Sequence, residues 1–143
     1  MTSGRGTSGL RDFGTRDFKK TEKIDFMKDF ENLRIWKDAQ EVALEIYEMF
    51  KDIKDYGFRD QIQRAAISIS NNIAEGSEYS SDAMMIRYLR ISKGSCGEVK
   101  NRLYLCPKLG YCSEEKAVEL ISKCKSLTNA IGAFIAYLAN GKK

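Results

Sequence analysis

The sequence predicts an all-α protein, an antiparallel up-down-up-down four-helix bundle preceded by a disordered N-terminal arm. Three observations carry that prediction. Four segments repeat apolar residues at alternating spacings of four and three, and strand-like alternation is absent. The 143 residues include a single proline, the residue that helix interiors exclude. A hydrophobic content of 43% beside 31% charged residues is that of a helix-rich globular chain with one core. The expected division is an arm over residues 1–28 and a bundle over residues 29–143.

The arm is read from its composition. Gly4, Gly6, Gly9 and Gly14, interspersed with Ser and Thr, disfavour regular structure. Residues 10–14 (Leu-Arg-Asp-Phe-Gly) and 15–19 (Thr-Arg-Asp-Phe-Lys) make a short imperfect repeat. An unstructured leader is the favoured reading over a docking motif, and Met27 offers an alternative start. The opening residues are polar and glycine-rich, unlike a signal peptide, and the apolar run 130–139 is too short for a bilayer. A cytoplasmic location is expected, with no membrane partner.

The first helix is expected from about Leu33 to Asp55, with Asn32 as N-cap. Ile35, Ala39, Val42, Ile46, Met49 and Ile53 form a heptad seam, and Trp36, Ala43, Tyr47 and Phe50 widen it. An apolar face this wide suits a bundle helix with two neighbours. The second helix is expected from about Phe58 to Glu75, with Gly76 as its C′ residue. Its core line is Phe58, Ile62, Ala66, Ile69 and Ile73. Arg64, Ser68, Asn71 and Glu75 lie roughly opposite, and only Arg59, Asp60, Arg64 and Glu75 are charged along the helix. A freely solvated face carries more charge, so Arg64, Ser68, Asn71, Asn72 and Glu75 are expected at an oligomer interface or to set its register.

The third helix is expected from a Ser81 N-cap to about Leu109, with Met85, Leu89, Ser92, Cys96, Val99, Leu103 and Cys106 as its seam. Gly94 and Gly97 each cost about 1 kcal/mol relative to alanine inside a helix, which calls for compensation by close approach of a neighbouring helix. Pro107 is expected to distort the last turn, and Gly110 to end it. The fourth helix starts at a Ser113 cap, with Glu114 and Glu115 set against the N-terminal dipole. Its seam reads Val118, Ile121, Cys124, Thr128, Ile131, Ile135 and Leu138.

The chemistry available to this chain is narrow. It has no histidine, so the commonest general base and metal ligand are missing. Cys96, Cys106, Cys112 and Cys124 are separated by 10, 6 and 12 residues, without a C-x-x-C pair. They read as small buried hydrophobes kept reduced, not as a zinc site. No catalytic residue, metal, cofactor or small-molecule substrate is indicated. Glu75 has no paired acid or nucleophile near it in sequence, so a polar contact with an arginine of another helix or subunit is its expected role. Net charge is +4; residues 1–25 hold six Lys/Arg against four Asp/Glu, about half of the excess.

One basic feature is coherent. Arg87, Arg90, Lys93, Lys100 and Lys108 fall on one flank of the third helix, with Gly94 and Gly97 among them. Such a flank can receive a phosphate chain, because each cation displaces counterions and the glycines permit close approach. A solvated face with a glycine groove for another helix is the simpler alternative.

Several ordered motifs resemble a known family. They are Phe30-Glu31-Asn32-Leu33-Arg34-Ile35-Trp36, Gln63-Arg64-Ala65-Ala66-Ile67-Ser68-Ile69 and Asn72-Ile73-Ala74-Glu75-Gly76. Further along come Tyr88-Leu89-Arg90-Ile91-Ser92-Lys93-Gly94-Ser95, Glu98 and Leu109-Gly110-Tyr111. Together they resemble the 23S rRNA intervening-sequence proteins, also called the four-helix bundle protein family, over roughly residues 29–139. The resemblance implies a bacterial, homopentameric bundle without known catalysis, related in fold to the accessory variability proteins of diversity-generating retroelements. Pro107 and the long arm depart from the family pattern. The resulting expectation is a non-enzymatic homo-oligomer binding RNA or a nucleoprotein weakly through backbone contacts. A protein-interaction scaffold without nucleic-acid contact is the alternative.

Overall fold

The computed structural model describes Phe30 and residues 33–141. Four helices follow one another through short turns: α1 (Arg34–Phe50), α2 (Tyr56–Ser77), α3 (Asp82–Leu109) and α4 (Glu114–Ala139). Each packs antiparallel on the next, and α1 closes the bundle against α4 in the sparsest of the four helix–helix contacts. The arm expected over residues 1–28 and the Asn32 cap lie outside the described residues.

The heptad seams become the core. On α3 the seven seam residues are the seven buried residues, Met85 through Cys106. Phe50, Ile46, Ile62, Ile69, Ile73, Met85, Leu89, Leu103, Leu120 and Ile131 are fully enclosed. Ser70 and Ser92 are the buried polar residues among those described, and both are satisfied: the Ser70 Oγ donates to the Ile67 carbonyl at 3.3 Å and the Ser92 Oγ to the Ile69 carbonyl at 2.8 Å.

Three boundaries differ from expectation. Helix α1 stops at Phe50, not Asp55, because Asp55 is taken as the N-cap of α2, its Oδ1 accepting from the Phe58 amide at 3.1 Å. Accordingly α2 begins at Tyr56 and carries Gly57 within its first turn. It also runs past Gly76 to Ser77. Gly76 is no C′ residue; it is buried where α2 meets α3, and a Cβ there would lie 2.8 Å from the Cβ of Tyr88. The glycine is a packing requirement.

The two ends of α3 match the sequence reading. The Ser81 Oγ accepts from the Met84 amide at 3.2 Å. At the other end Gly110 takes φ 79°, and two hydrogen bonds complete a Schellman motif: Gly110 N–H to the Pro107 carbonyl at 3.1 Å and Tyr111 N–H to the Cys106 carbonyl at 2.9 Å. The helix continues through Pro107 to Leu109. The proline lies in the final turn, and the distortion expected there does not end the helix early.

On α4 the Ser113 Oγ accepts from the Lys116 amide at 3.1 Å. The buried line opens on Ala117, Leu120 and Ile121, while Val118 is 58% exposed. Ala117 and Val118 are both apolar, so spacing alone could not choose between them. The two turns at one end of the bundle are tied together: the Tyr111 hydroxyl donates to Asp55 Oδ2 at 2.6 Å and its ring meets Phe58 edge-on at 5.2 Å. That bond, with the Phe58 amide, holds the Asp55 carboxyl below its ordinary range and raises Tyr111.

Candidate nucleic-acid interface on the third helix

Contacts on either side of α3 fix which way its cations face. Toward α2, Ser92 reaches Ile69, the Ser95 and Ser68 hydroxyls are 2.8 Å apart, and Arg102 hydrogen-bonds the Gln61 side chain. Toward α4, the Cys96 thiol donates to the Cys124 carbonyl at 3.4 Å, and the Lys93 Nζ lies 3.7 Å from where a Cβ on Gly132 would stand. What remains between these two sides is the outer face, and at 100° per residue it carries Arg87, Arg90, Gly94, Gly97 and Lys108.

The predicted flank therefore divides. Arg87, Arg90 and Lys108 are exposed on the outer face, with Arg90 and Lys108 in the same direction about five turns apart. Lys93 and Lys100 stand over the α3–α4 seam instead, Lys93 exposed and Lys100 half-buried. Part of the Lys100 charge acts on the core: the Cys124 thiol lowers Cys96 below its ordinary range, and Thr128 and Lys100 add to that effect. None of the five cations forms an ion pair with the described residues. By contrast Arg102, on the α2 side, is engaged by Glu98 at 3.5 Å and lies 5.8 Å from the Phe58 ring. The i,i+4 spacing of Glu98 and Arg102 is the sequence signal that sets this cation apart.

The glycines of α3 behave differently from expectation. A Cβ on Gly94 or on Gly97 would meet nothing within 4 Å. No other described helix approaches them, so among the described residues the bare backbone opens outward between Arg90 and Lys108. Ile91, Tyr104 and Leu105 are exposed along the same helix, at 44%, 49% and 41%.

The five polar residues singled out on α2 also separate. Ser68 and Asn72 face α3: the Asn72 Nδ2 donates to the Ser68 carbonyl at 2.8 Å and to its Oγ at 2.9 Å, and Ser68 in turn meets Ser95. Arg64, Asn71 and Glu75 are exposed. The Glu75 charge acts on Tyr88 of its own chain. Tyr79 and Tyr88 stack with centroids 5.5 Å apart, and the Tyr88 phenol is pushed up to about 12 by its hydrogen bond with Tyr79, its burial and the Glu75 charge. Nothing in the residue spacing announces that cluster, because it joins the end of α2 to the second turn of α3.

Between α2 and α3 runs an open groove of about 470 Å³, walled by Asp60, Gln61, Arg64, Ser68, Ser95 and Glu98. Two carboxylates beside one guanidinium make it mixed in sign, unlike the outer face of α3. Among the described residues there is no cluster of three or more metal-ligating side chains, and no helix is long and apolar enough to cross a membrane.

Residues 31–133 match the sequence profile of a family described as 23S rRNA-intervening sequence protein. The chain belongs to that family. A crystal structure of a protein of unknown function from the S23 ribosomal protein family of Bacteroides thetaiotaomicron superposes with a TM-score of 0.66 at 23% identity. The match covers 71% of this chain and 97% of that one. At that identity the likeness concerns the fold, and it agrees with the four-helix architecture described above. No curated protein matches the sequence.

Proposed function

We propose that this protein is a non-enzymatic, homo-oligomeric bundle that binds RNA, free or within a nucleoprotein, through phosphate contacts along α3, in the cytoplasm. The observation that carries the reading is the outer side of α3: Arg87, Arg90 and Lys108 are exposed and unpaired by the described residues, with open backbone at Gly94 and Gly97 between them and Lys93 exposed beside them over the α3–α4 seam. Cations without a carboxylate partner release counterions when a phosphate chain arrives, and no competing acid has to be displaced. Repetition of that face in a homo-oligomer would multiply a weak monomer field. The absence of histidine from the sequence supports a binding role over a catalytic one.

Binding of a labelled RNA, followed by anisotropy across a salt series, tests this reading. The expected result is an affinity that falls linearly with salt on logarithmic axes, by roughly one unit of slope per phosphate contact. Reversal of Arg87, Arg90 and Lys93 to Glu should abolish it in an oligomer that still folds. A wild-type protein that binds no RNA or DNA even at low salt would refute the proposal.

A second reading rests on the groove between α2 and α3. Its mixed charge, with Arg64 between Asp60 and Glu98, suits a protein surface better than a polyanion. Under that reading the bundle is an interaction scaffold or accessory subunit. A protein partner retained from the native host at high salt, and released by Arg64→Glu, distinguishes it from the first.

A further inference from the structure

Most aromatic side chains of the described residues are engaged by another ring or by a guanidinium. Phe30 meets Trp36, Phe50 and Tyr111 meet Phe58, Tyr79 stacks on Tyr88, Phe134 stacks on Tyr137, and Tyr56 lies under Arg59. Tyr47 and Tyr104 have no such contact with the described residues. Tyr104 is the more exposed of the two, at 49% against 39%. Their surroundings also differ. Tyr47 shares a shallow cleft of mixed sign with Asp60 and Arg64. Tyr104 stands on the basic side of α3.

Helix geometry sets the ring among cations. Arg90, Gly97 and Tyr104 follow one another at steps of seven, so they form one line along α3. Lys100 and Lys108 flank Tyr104 one turn to either side. Across the seam, Gly132 of α4 lies beneath Lys93, and Lys125 and Val118 precede it at the same step of seven. The antiparallel register set by the Cys96 contact with the Cys124 carbonyl brings Val118 to the level of Tyr104 and Lys125 to that of Gly97. Val118 and Lys125 are both exposed, and Lys125 has no ion pair with the described residues. From Arg90 to Lys108 the strip is about 27 Å long at the rise of an α-helix. Glu114 and Glu115, in the first turn of α4, bound it at the Lys108 end.

We propose that the α3–α4 seam selects single-stranded RNA, with an unpaired base stacked on the Tyr104 ring and the neighbouring phosphates on Lys100, Lys108 and Lys125. The proposal rests on the RNA binding proposed above and specifies the form of RNA. Cations alone would serve a duplex as well as a single strand, because both present phosphates. The ring separates the two. In a duplex each base is stacked between its neighbours, and the major groove of the A-form is too narrow for a side chain to enter. An unpaired base of any identity offers a free π-face, and an exposed tyrosine among cations is a platform for it. Val118, level with the ring, extends the apolar surface beneath that base. The bare backbone at Gly97, in line with Tyr104, leaves room for the strand to approach.

Anisotropy with the full-length protein tests it, using an unstructured fluorescein-labelled RNA of about 20 nucleotides, alone and annealed to its complement. The single strand should bind about tenfold more tightly than the duplex. Tyr104→Leu should remove that advantage, lowering single-strand affinity about tenfold while leaving duplex affinity unchanged. The slope of log affinity on log salt should stay the same in this variant, since the ring neutralises no phosphate. Tyr104→Phe, which keeps the ring, should bind as the wild type does. Lys125→Gln should instead reduce the single-strand slope by about 0.7. Photocrosslinking of a strand carrying 5-iodouridine locates the contact in the wild-type protein, with the adduct expected on tryptic peptide 103–108. Equal affinity for the two forms, unchanged single-strand binding by Tyr104→Leu, or an adduct confined to other peptides overturns this proposal and leaves RNA binding itself standing. A wild-type protein that binds neither form overturns both.

Discussion

Gly76 shows how a single absent methyl group can be structural. Its Cα sits where α2 crosses α3, with the Met85 Sδ 3.1 Å and the Tyr88 Cβ 2.8 Å from the place a Cβ would take. Gly76→Ala should destabilise the bundle by about 1–3 kcal/mol, since neither helix can yield without disturbing the packed core. Urea unfolding followed by circular dichroism measures it, and an unchanged midpoint would contradict the tight crossing. Ser92 makes a second case. Its enclosed hydroxyl bridges α3 to the Ile69 carbonyl, and Ser92→Ala should cost about 0.5–1.5 kcal/mol in the same experiment. The seam position of Ser92 was legible from heptad spacing. The meaning of Gly76 was not, because a glycine near a helix end is more often a C′ residue, and only the neighbouring helix reveals otherwise. The contact of the Cys96 thiol with the Cys124 carbonyl was equally hidden, since separations of 10, 6 and 12 say nothing about which cysteines meet across a seam.

At the scale of the helix, α3 holds most of what is functionally distinctive. Its open glycines give a prediction whose sign is informative. With nothing within 4 Å of either position, Gly94→Ala and Gly97→Ala should each stabilise the isolated subunit by about 1 kcal/mol through helix propensity alone. If the same face receives a phosphate chain, both substitutions should also weaken RNA binding, because the added methyl holds the ligand off the backbone. Thermal unfolding and anisotropy on one set of variants read the two effects separately. The turn before α2 is the other element with a measurable signature. Tyr111 and the Phe58 amide lower the Asp55 carboxyl, so its contribution to stability is full above the unfolded pKa and is lost as pH falls through the folded value. Asp55→Asn should flatten that part of the acid limb in a pH series of urea midpoints. The starts of α3 and α4 were readable as capping serines. The end of α1 was not, because Asp55 could serve either helix and the choice depends on Tyr111, which is distant in sequence.

Over the described residues, acids and bases are mixed on α1 and α4, where Lys51 pairs with Glu48 and Lys123 with Glu45, while the outer face of α3 holds cations alone. The outer face of α3 carries Arg87, Arg90 and Lys108, whereas α1 exposes Glu41 and Glu48 and α4 opens on Glu114, Glu115 and Glu119. A homo-oligomer can bring such faces together or leave the basic one free for a ligand, and the proposed RNA contact requires the second. Light scattering at micromolar concentration should report a mass several times that of one chain. A monomer would count against the assembly proposed from the sparsely charged face of α2. The bundle architecture itself was legible throughout, because four apolar seams joined by short turns leave few other ways to bury them.

The unequal closure of the bundle has a consequence for how it breathes. Sequential neighbours share long interfaces, and α1 and α4, the two ends of the chain, share the shortest. Few amide protons of α1 are shielded by more than its own hairpin partner, so they should exchange with deuterium through a partial opening, while those of α3 wait for global unfolding. The protein would then behave as a clasp whose hinge is α3, and a ligand held on that helix would leave the clasp free to move.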